Sequence, residues 1–134
     1  MFELNLNRMN SSSSLNRKVI LVVDDNGINR LLPGLILRPF GWEVHEVDGG
    51  AAAIAILKNV QVSCVLLDIS MPEVSGRVVL KDLRGNEQLR GLKIVAYTAY
   101  AQSSEISNLL AEGFDAVLIK PLTSLKLLNV LKNI

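Results

Sequence analysis

Five polar residues close apolar runs in this chain. Asp24 and Asp25 end "KVILVVDD", Asp68 ends "VSCVLLD", Thr98 ends "LKIVAYT", and Lys120, followed by Pro121, ends "DAVLIK". Three carboxylates gathered in one place repel one another, and the usual relief is a raised pKa or a bound cation. Oxygen donors without a cysteine or histidine set favour a hard cation such as Mg²⁺, which takes one or two carboxylates and keeps several waters. A hydroxyl and an ammonium beside such a cation suit the anionic oxygens of a transferred phosphoryl group, where catalysis is mostly positioning and electrostatic stabilisation. Asp68 would then be the nucleophile, because a carboxylate can form an aspartyl phosphate.

That chemistry needs a scaffold that carries the five residues to one rim. From Lys18 onward the hydrophobic periodicity alternates between strand and helix. "KVILVVDD" and "VSCVLLD" are short continuous apolar runs, as expected of strands buried on both faces, and "WEVHEV" alternates. "LKIVAYTA" and "DAVLIK" complete five strands. Between and after them, "NGINRLLPGLILRPF", "GGAAAIAILKN", "SGRVVLKDLRG", "SSEISNLLAEG" and "SLKLLNVLKNI" have helical spacing. Gly41, Gly85 and Gly113 are expected stops, and Ser103 or Ser104 an expected cap. Strict alternation predicts an α/β fold with right-handed crossovers, a parallel sheet and helices on both faces. In such sheets the ligand crevice lies outside the carboxyl ends of the strands, where these five residues stand. Pro33 removes a backbone donor inside the first helix, costing about 3 kcal/mol unless a kink absorbs it, so a kink or a late start is expected there. Pro39 should end that helix near Arg38.

Composition excludes several other functions. The chain has 134 residues and a formal net charge of +1, a length for one domain and a balance that gives no footprint for nucleic acid or an anionic membrane. No apolar run approaches the ~18 residues of a membrane span, and no signal-peptide core is present, so a cytoplasmic location is expected. The single cysteine, Cys64, rules out an internal disulfide and reads as a buried structural thiol. Residues 1–17, polar and serine-rich, are expected to form a flexible leader or linker, with the domain spanning 18–134.

The motifs "VVDDN" at 22–26, "LLDISMPEVSG" at 66–76, "YTA" at 97–99 and "IKP" at 119–121 together resemble the receiver domains of two-component response regulators over Lys18 to Ile134. The resemblance implies a flavodoxin-like, CheY-like doubly wound sheet of five parallel strands in the order 2-1-3-4-5 with five helices. It implies that Asp68 accepts a phosphoryl group from a phosphohistidine on a histidine kinase or histidine phosphotransfer protein. Asp25 and Asp68 would bind Mg²⁺ (or Mn²⁺) directly, with the backbone carbonyl of Ser70 as a third ligand and Asp24 acting through water. Thr98 would contact the phosphoryl oxygens and reorient, Lys120 would pair with the phosphate, and the Lys120–Pro121 peptide would be cis. Pro72 and Gly76 match the family's turn after the acceptor strand. Output would pass through a downstream effector protein, or the chain is a piece of a larger one, such as a hybrid sensor kinase.

Two departures stand out. Val117 occupies the position, three before the lysine, where such domains often carry a switching Tyr or Phe; either the linked surface switches differently or Tyr100 takes part of the role. Tyr100 also lies where the family tunes access of hydrolytic water. Ordinary roles are expected for His45, Trp42 and the Arg77, Lys81, Arg84 cluster, the last as a solvated helix face. The chain would be no enzyme beyond its own phosphorylation and slow dephosphorylation. A haloacid dehalogenase-type phosphatase would need a second Asp where Ser70 stands, and a degenerate receiver used only as an interaction module is the remaining alternative.

Overall fold

The computed structural model describes residues 18–100 and 102–134; the leader expected over residues 1–17 lies outside them. Five strands, β1 (Val19–Val23), β2 (Glu43–Val47), β3 (Cys64–Asp68), β4 (Lys93–Thr98) and β5 (Ala116–Ile119), alternate with five α-helices. These are α1 (Gly27–Leu37), α2 (Gly50–Leu57), α3 (Gly76–Arg84), α4 (Ser103–Glu112) and α5 (Ser124–Lys132). All strand pairs are parallel, as expected from the alternation, and the order is β2-β1-β3-β4-β5, the doubly wound arrangement implied by the resemblance.

Side chains on a strand alternate between the two faces of the sheet, so each central strand feeds two cores. Leu21, Val23, Val65, Leu67, Ile94 and Ala96 pack on one face with Ala53, Val79, Leu80, Leu83 and Leu109 of α2, α3 and α4. Ile20, Cys64, Leu66, Val95, Tyr97 and Leu118 pack on the other with Leu37 and Leu127 of α1 and α5. Burial on both faces explains why β1 and β3 read as continuous apolar runs. β2 lies at the sheet edge, and its Glu43, His45 and Glu46 reach water while Val44 and Val47 pack. Each fully buried aliphatic side chain contributes about 1.5–3 kcal/mol, and α3 alone buries Val79, Leu80 and Leu83.

Local chemistry explains several helix ends. Asn26 caps α1 by accepting from Asn29 N at 3.0 Å, and Thr123 caps α5 through Lys126 N at 3.2 Å. Arg38–Phe40 forms a 3₁₀ turn closed by Gly41 at φ 88°, so α1 ends at Leu37, one residue from the boundary Pro39 predicts. The late start expected from Pro33 is not found: α1 begins at Gly27 and continues through Pro33. The Asn26 cap starts the helix six residues earlier, and burial of Pro33, Gly34 and Leu37 holds its second half against the sheet. A second correction concerns α4, which is preceded by Gln102 with no side-chain cap; Ser103 is already helical.

The Arg77, Lys81, Arg84 cluster is also not the plain solvated face expected. Arg77 pairs with Glu105 and with Glu112, the latter at 2.8 Å, joining α3 to α4. Arg84 donates to Leu92 O at 2.6 Å and Gly113 O at 2.9 Å and pairs with Asp115 at 2.7 Å. Asp115 in turn accepts from Ile94 N at 2.8 Å. A guanidinium with several donors in a fixed fork suits such a junction better than an ammonium would. His45 and Trp42 have the ordinary roles expected: His45 bonds Glu43 at 2.6 Å, and Trp42 packs, half-buried, against the α1–α5 core.

Cys64 is buried, and burial pushes its thiol up to about 12. The native protein is therefore expected to resist a thiol reagent at pH 8 and to react fully once denatured. Equal labelling rates in the two states would contradict this assignment.

Candidate functional site

Strand register builds the site. Val23 pairs with Leu67 and Asp68 with Tyr97, while Thr98 pairs with Ile119. One further step along β1, β3 and β5 therefore brings Asp24, Asp68 and Lys120 to a common rim. The same alternation that sends Ile20, Leu66, Tyr97 and Leu118 to the α1–α5 face sends Asp24, Asp68 and Lys120 there as well.

Asp24, Asp68 and Thr98 are buried, while Asp25 is exposed. One carboxylate oxygen from each of Asp24, Asp25 and Asp68 lies within 4.8 Å of the others. Asp68 Oδ1 accepts from Ser70 N at 3.1 Å and from Lys120 Nζ at 3.2 Å. Asp24 Oδ1 accepts from Asn26 N at 2.9 Å. Its Oδ2 is buried without a hydrogen-bond partner, the nearest cation being Lys120 Nζ at 3.8 Å. The ammonium also lies 4.8 Å from the centroid of the Tyr97 ring. Beside Asp25 a cleft of about 400 Å³, lined also by Asp48, Gly49, Met71 and Glu73, opens to solvent.

Lys120 is the one cation paired with this acid cluster among the described residues. Burial pushes the Asp24 carboxyl up to about 6, the Asn26 N–H opposes that rise, and the Asp68 charge adds to it. The orphaned, buried Asp24 Oδ2 and an all-oxygen donor set fit a hard divalent cation.

A stability consequence follows from Asp24. Its folded value of about 6 exceeds its ordinary 3.8, so the folded chain binds more protons than the unfolded chain between those values. Without divalent cations, this group's contribution makes stability rise as pH falls from 7 towards 4. Asp24→Asn is expected to stabilise the cation-free protein at pH 7 by on the order of 1–3 kcal/mol and to flatten that pH dependence. Thermal melts in EDTA at pH 7 and pH 5 check both; a variant less stable than the parent at pH 7 would contradict the assignment.

The other expected site residues divide into two groups. Thr98 lies at the rim, its Oγ1 accepting from Tyr100 N at 3.1 Å, and the Lys120–Pro121 peptide is cis. Val117 and Tyr100 are not drawn into the acid cluster. Val117 packs with the core on the α2–α3–α4 side, and the Tyr100 side chain stands in solvent, 60% exposed. Sequence reasoning missed Tyr97 as more than part of a motif. The available signal was a polar-tipped aromatic directly before Thr98 in an otherwise aliphatic strand.

The response regulator receiver domain family profile matches residues 20–132. The chain belongs to this family. As a receiver domain of two-component systems, it is 39% identical over 114 residues to the sensor protein GacS of Pseudomonas syringae pv. syringae, a match covering 83% of this chain and 13% of that protein. This receiver is 28% identical over 116 residues to the polar-differentiation response regulator DivK of Brucella ovis, covering 87% of the chain and 94% of DivK. Among solved structures it is similar to the receiver domain of the sensor histidine kinase PA1611 from Pseudomonas aeruginosa, with TM-score 0.77 and 28% identity over 87% of this chain and 95% of that one. That structure has a magnesium ion coordinated in its active-site cleft. No helix among the described residues of this receiver is long and apolar enough to cross a membrane.

Proposed function

We propose that this receiver takes a phosphoryl group onto Asp68 from a phosphohistidine of a histidine kinase or histidine phosphotransfer protein. An Asp68 carboxylate oxygen attacks phosphorus, the P–N bond to the donor imidazole breaks, and the electron pair returns to the ring nitrogen. The observation that carries this reading is the placement of Asp68 within 3.2 Å of Lys120 Nζ, beside a second buried carboxylate whose Oδ2 lacks a partner. Asp24, Asp25, Asp68 and the Ser70 carbonyl would hold Mg²⁺ or Mn²⁺. Such a cation, when bound, neutralises charge on the phosphoryl oxygens.

The chain's own groups do the rest. Lys120 supplies a positive charge to the phosphoryl oxygens, and the Thr98 hydroxyl, whose oxygen accepts from Tyr100 N, keeps its proton free to donate to them on reorienting. Ser70 N holds the attacking carboxylate by hydrogen-bonding Oδ1, which pre-orients the nucleophile. Hydrolysis by water returns Asp68 to its carboxylate, and Tyr100, two residues beyond Thr98, would tune that water's access. The chain then acts as a signalling switch or relay intermediate in the cytoplasm, not as an enzyme turning over a separate substrate. With Val117 in the usual ring position, the surface linked to that ring switches differently. The higher identity to a receiver carried by a sensor protein favours relay over stand-alone output through an effector protein.

Incubation with acetyl phosphate and Mg²⁺ is expected to add one phosphoryl group, seen by intact mass and located at Asp68 by peptide mapping. No adduct would leave the interaction-module reading instead, and an adduct elsewhere would show that another residue is the acceptor. Rapid multiple turnover of the donor would favour a phosphatase.

A further inference from the structure

Lys120 carries its charge at the end of a flexible four-carbon stem, so the ammonium must be held if it is to act on a phosphoryl group. Three neighbours hold it: Asp68 Oδ1 at 3.2 Å, Asp24 Oδ2 at 3.8 Å and the face of the Tyr97 ring at 4.8 Å from its centroid. The first of these changes during transfer, because a phosphorylated Asp68 no longer offers a carboxylate, and the second belongs to a carboxylate available to a cation. The ring face is the contact that keeps its character before and after transfer.

Tyr97 is also firmly placed. It is 1% exposed and packs among Val95, Leu66 and Leu118. Its register partners are Asp68 on β3 and Leu118 on β5. Lys120, two residues beyond Leu118, is thus its diagonal neighbour on the same face of the sheet, within reach of an aromatic and a long side chain. Burial and the charges of Asp24 and Asp68 push the Tyr97 hydroxyl up to about 12, so the ring is neutral at pH 7 and its electron-rich face attracts an ammonium.

We propose that Tyr97 is a positioning residue: its buried ring face is the fixed floor that holds the Lys120 ammonium over the Asp24–Asp68 pair throughout phosphoryl transfer. The inference rests on the phosphoacceptor reading of Asp68. It departs from treating Tyr97 as core packing, which any apolar side chain of similar volume would satisfy.

Two measurements test it. In protein labelled with ¹³C-lysine, the Lys120 ε-methylene signal, assigned by its loss in Lys120→Arg, is expected to be shifted upfield by the ring in wild type and Tyr97→Phe. In Tyr97→Leu it should move towards the position of an exposed lysine. In parallel, the maximal rate of phosphorylation by acetyl phosphate with Mg²⁺ should stay within about twofold of wild type in Tyr97→Phe and fall about tenfold in Tyr97→Leu. The half-saturating donor concentration should change little. Should Tyr97→Leu melt early, Tyr97→Met supplies the apolar comparison. A Lys120 signal indifferent to loss of the ring, or equal rates in wild type, Phe and the folded apolar variant, would overturn the proposal. Absence of any wild-type adduct would count against the phosphoacceptor reading, while the lysine signal would still decide whether Tyr97 holds Lys120.

Discussion

Asp68→Asn is expected to show no phosphoryl adduct under conditions that modify the wild-type protein fully, with the fold intact. The amide has nearly the shape of the carboxylate, and its oxygen can still accept from Ser70 N and Lys120 Nζ, which lie 3.1 and 3.2 Å from Asp68 Oδ1. What disappears is the anionic nucleophile. The charge of Asp68 also raises the Asp24 carboxyl, so its removal lets Asp24 ionise more easily and relieves repulsion in a buried place. The cation-free variant should therefore melt no lower than wild type at pH 7. Intact mass after acetyl phosphate treatment, paired with a thermal melt, checks both halves. An adduct at the wild-type level would show that another residue is the acceptor.

Gly76→Ala should have the largest effect on stability. A Cβ on Gly76 would lie 2.4 Å from Asp68 O and 3.0 Å from Ile69 Cα. Those atoms are backbone at the end of β3, with no flexible tip to swing aside. Gly76 N also donates to Ile69 O at 3.1 Å, the bond that draws the start of α3 back onto the strand end. Adding the methyl group forces loop and strand apart at the residue that carries the nucleophile. A loss of about 2–4 kcal/mol is expected, which lowers Tm by roughly 5–15 °C. Phosphorylation should slow as well, because Asp68 moves relative to Lys120. Melts and acetyl phosphate kinetics on the variant check these effects; an unchanged Tm would mean that the loop accommodates a side chain freely.

The contrast between Gly76 and Pro33 indicates where sequence is a good guide. Gly76 is readable as a turn glycine after the acceptor strand, yet its cause, close approach to the Asp68 carbonyl, is a tertiary contact. Pro33 carries a clear local signal for a late helix start, and the structure overrides it. A capped start at Asn26 and a buried inner face at Gly34 and Leu37 oppose the cost of one missing hydrogen bond. Arg77 and Arg84 show the same limit from the other side. Their helical spacing is legible, but their partners Glu105, Glu112 and Asp115 are 28 to 35 residues away, and the pairing depends on how α3 settles against its neighbours.

The sequence by itself determined the strand–helix alternation, the parallel doubly wound sheet and the identity of Asp24, Asp25, Asp68, Thr98 and Lys120 as the rim residues. Hydrophobic periodicity is a local property, and residue chemistry at a strand end needs no distance to be recognised. Only the tertiary structure decided that Asp24 keeps an unpartnered oxygen, that Lys120 reaches both buried carboxylates, and that Tyr97 lies beneath the ammonium while Tyr100 stands in solvent. Those facts depend on the register between strands distant in sequence and on which face of the sheet each side chain takes, and a shift of one residue in either would reverse them.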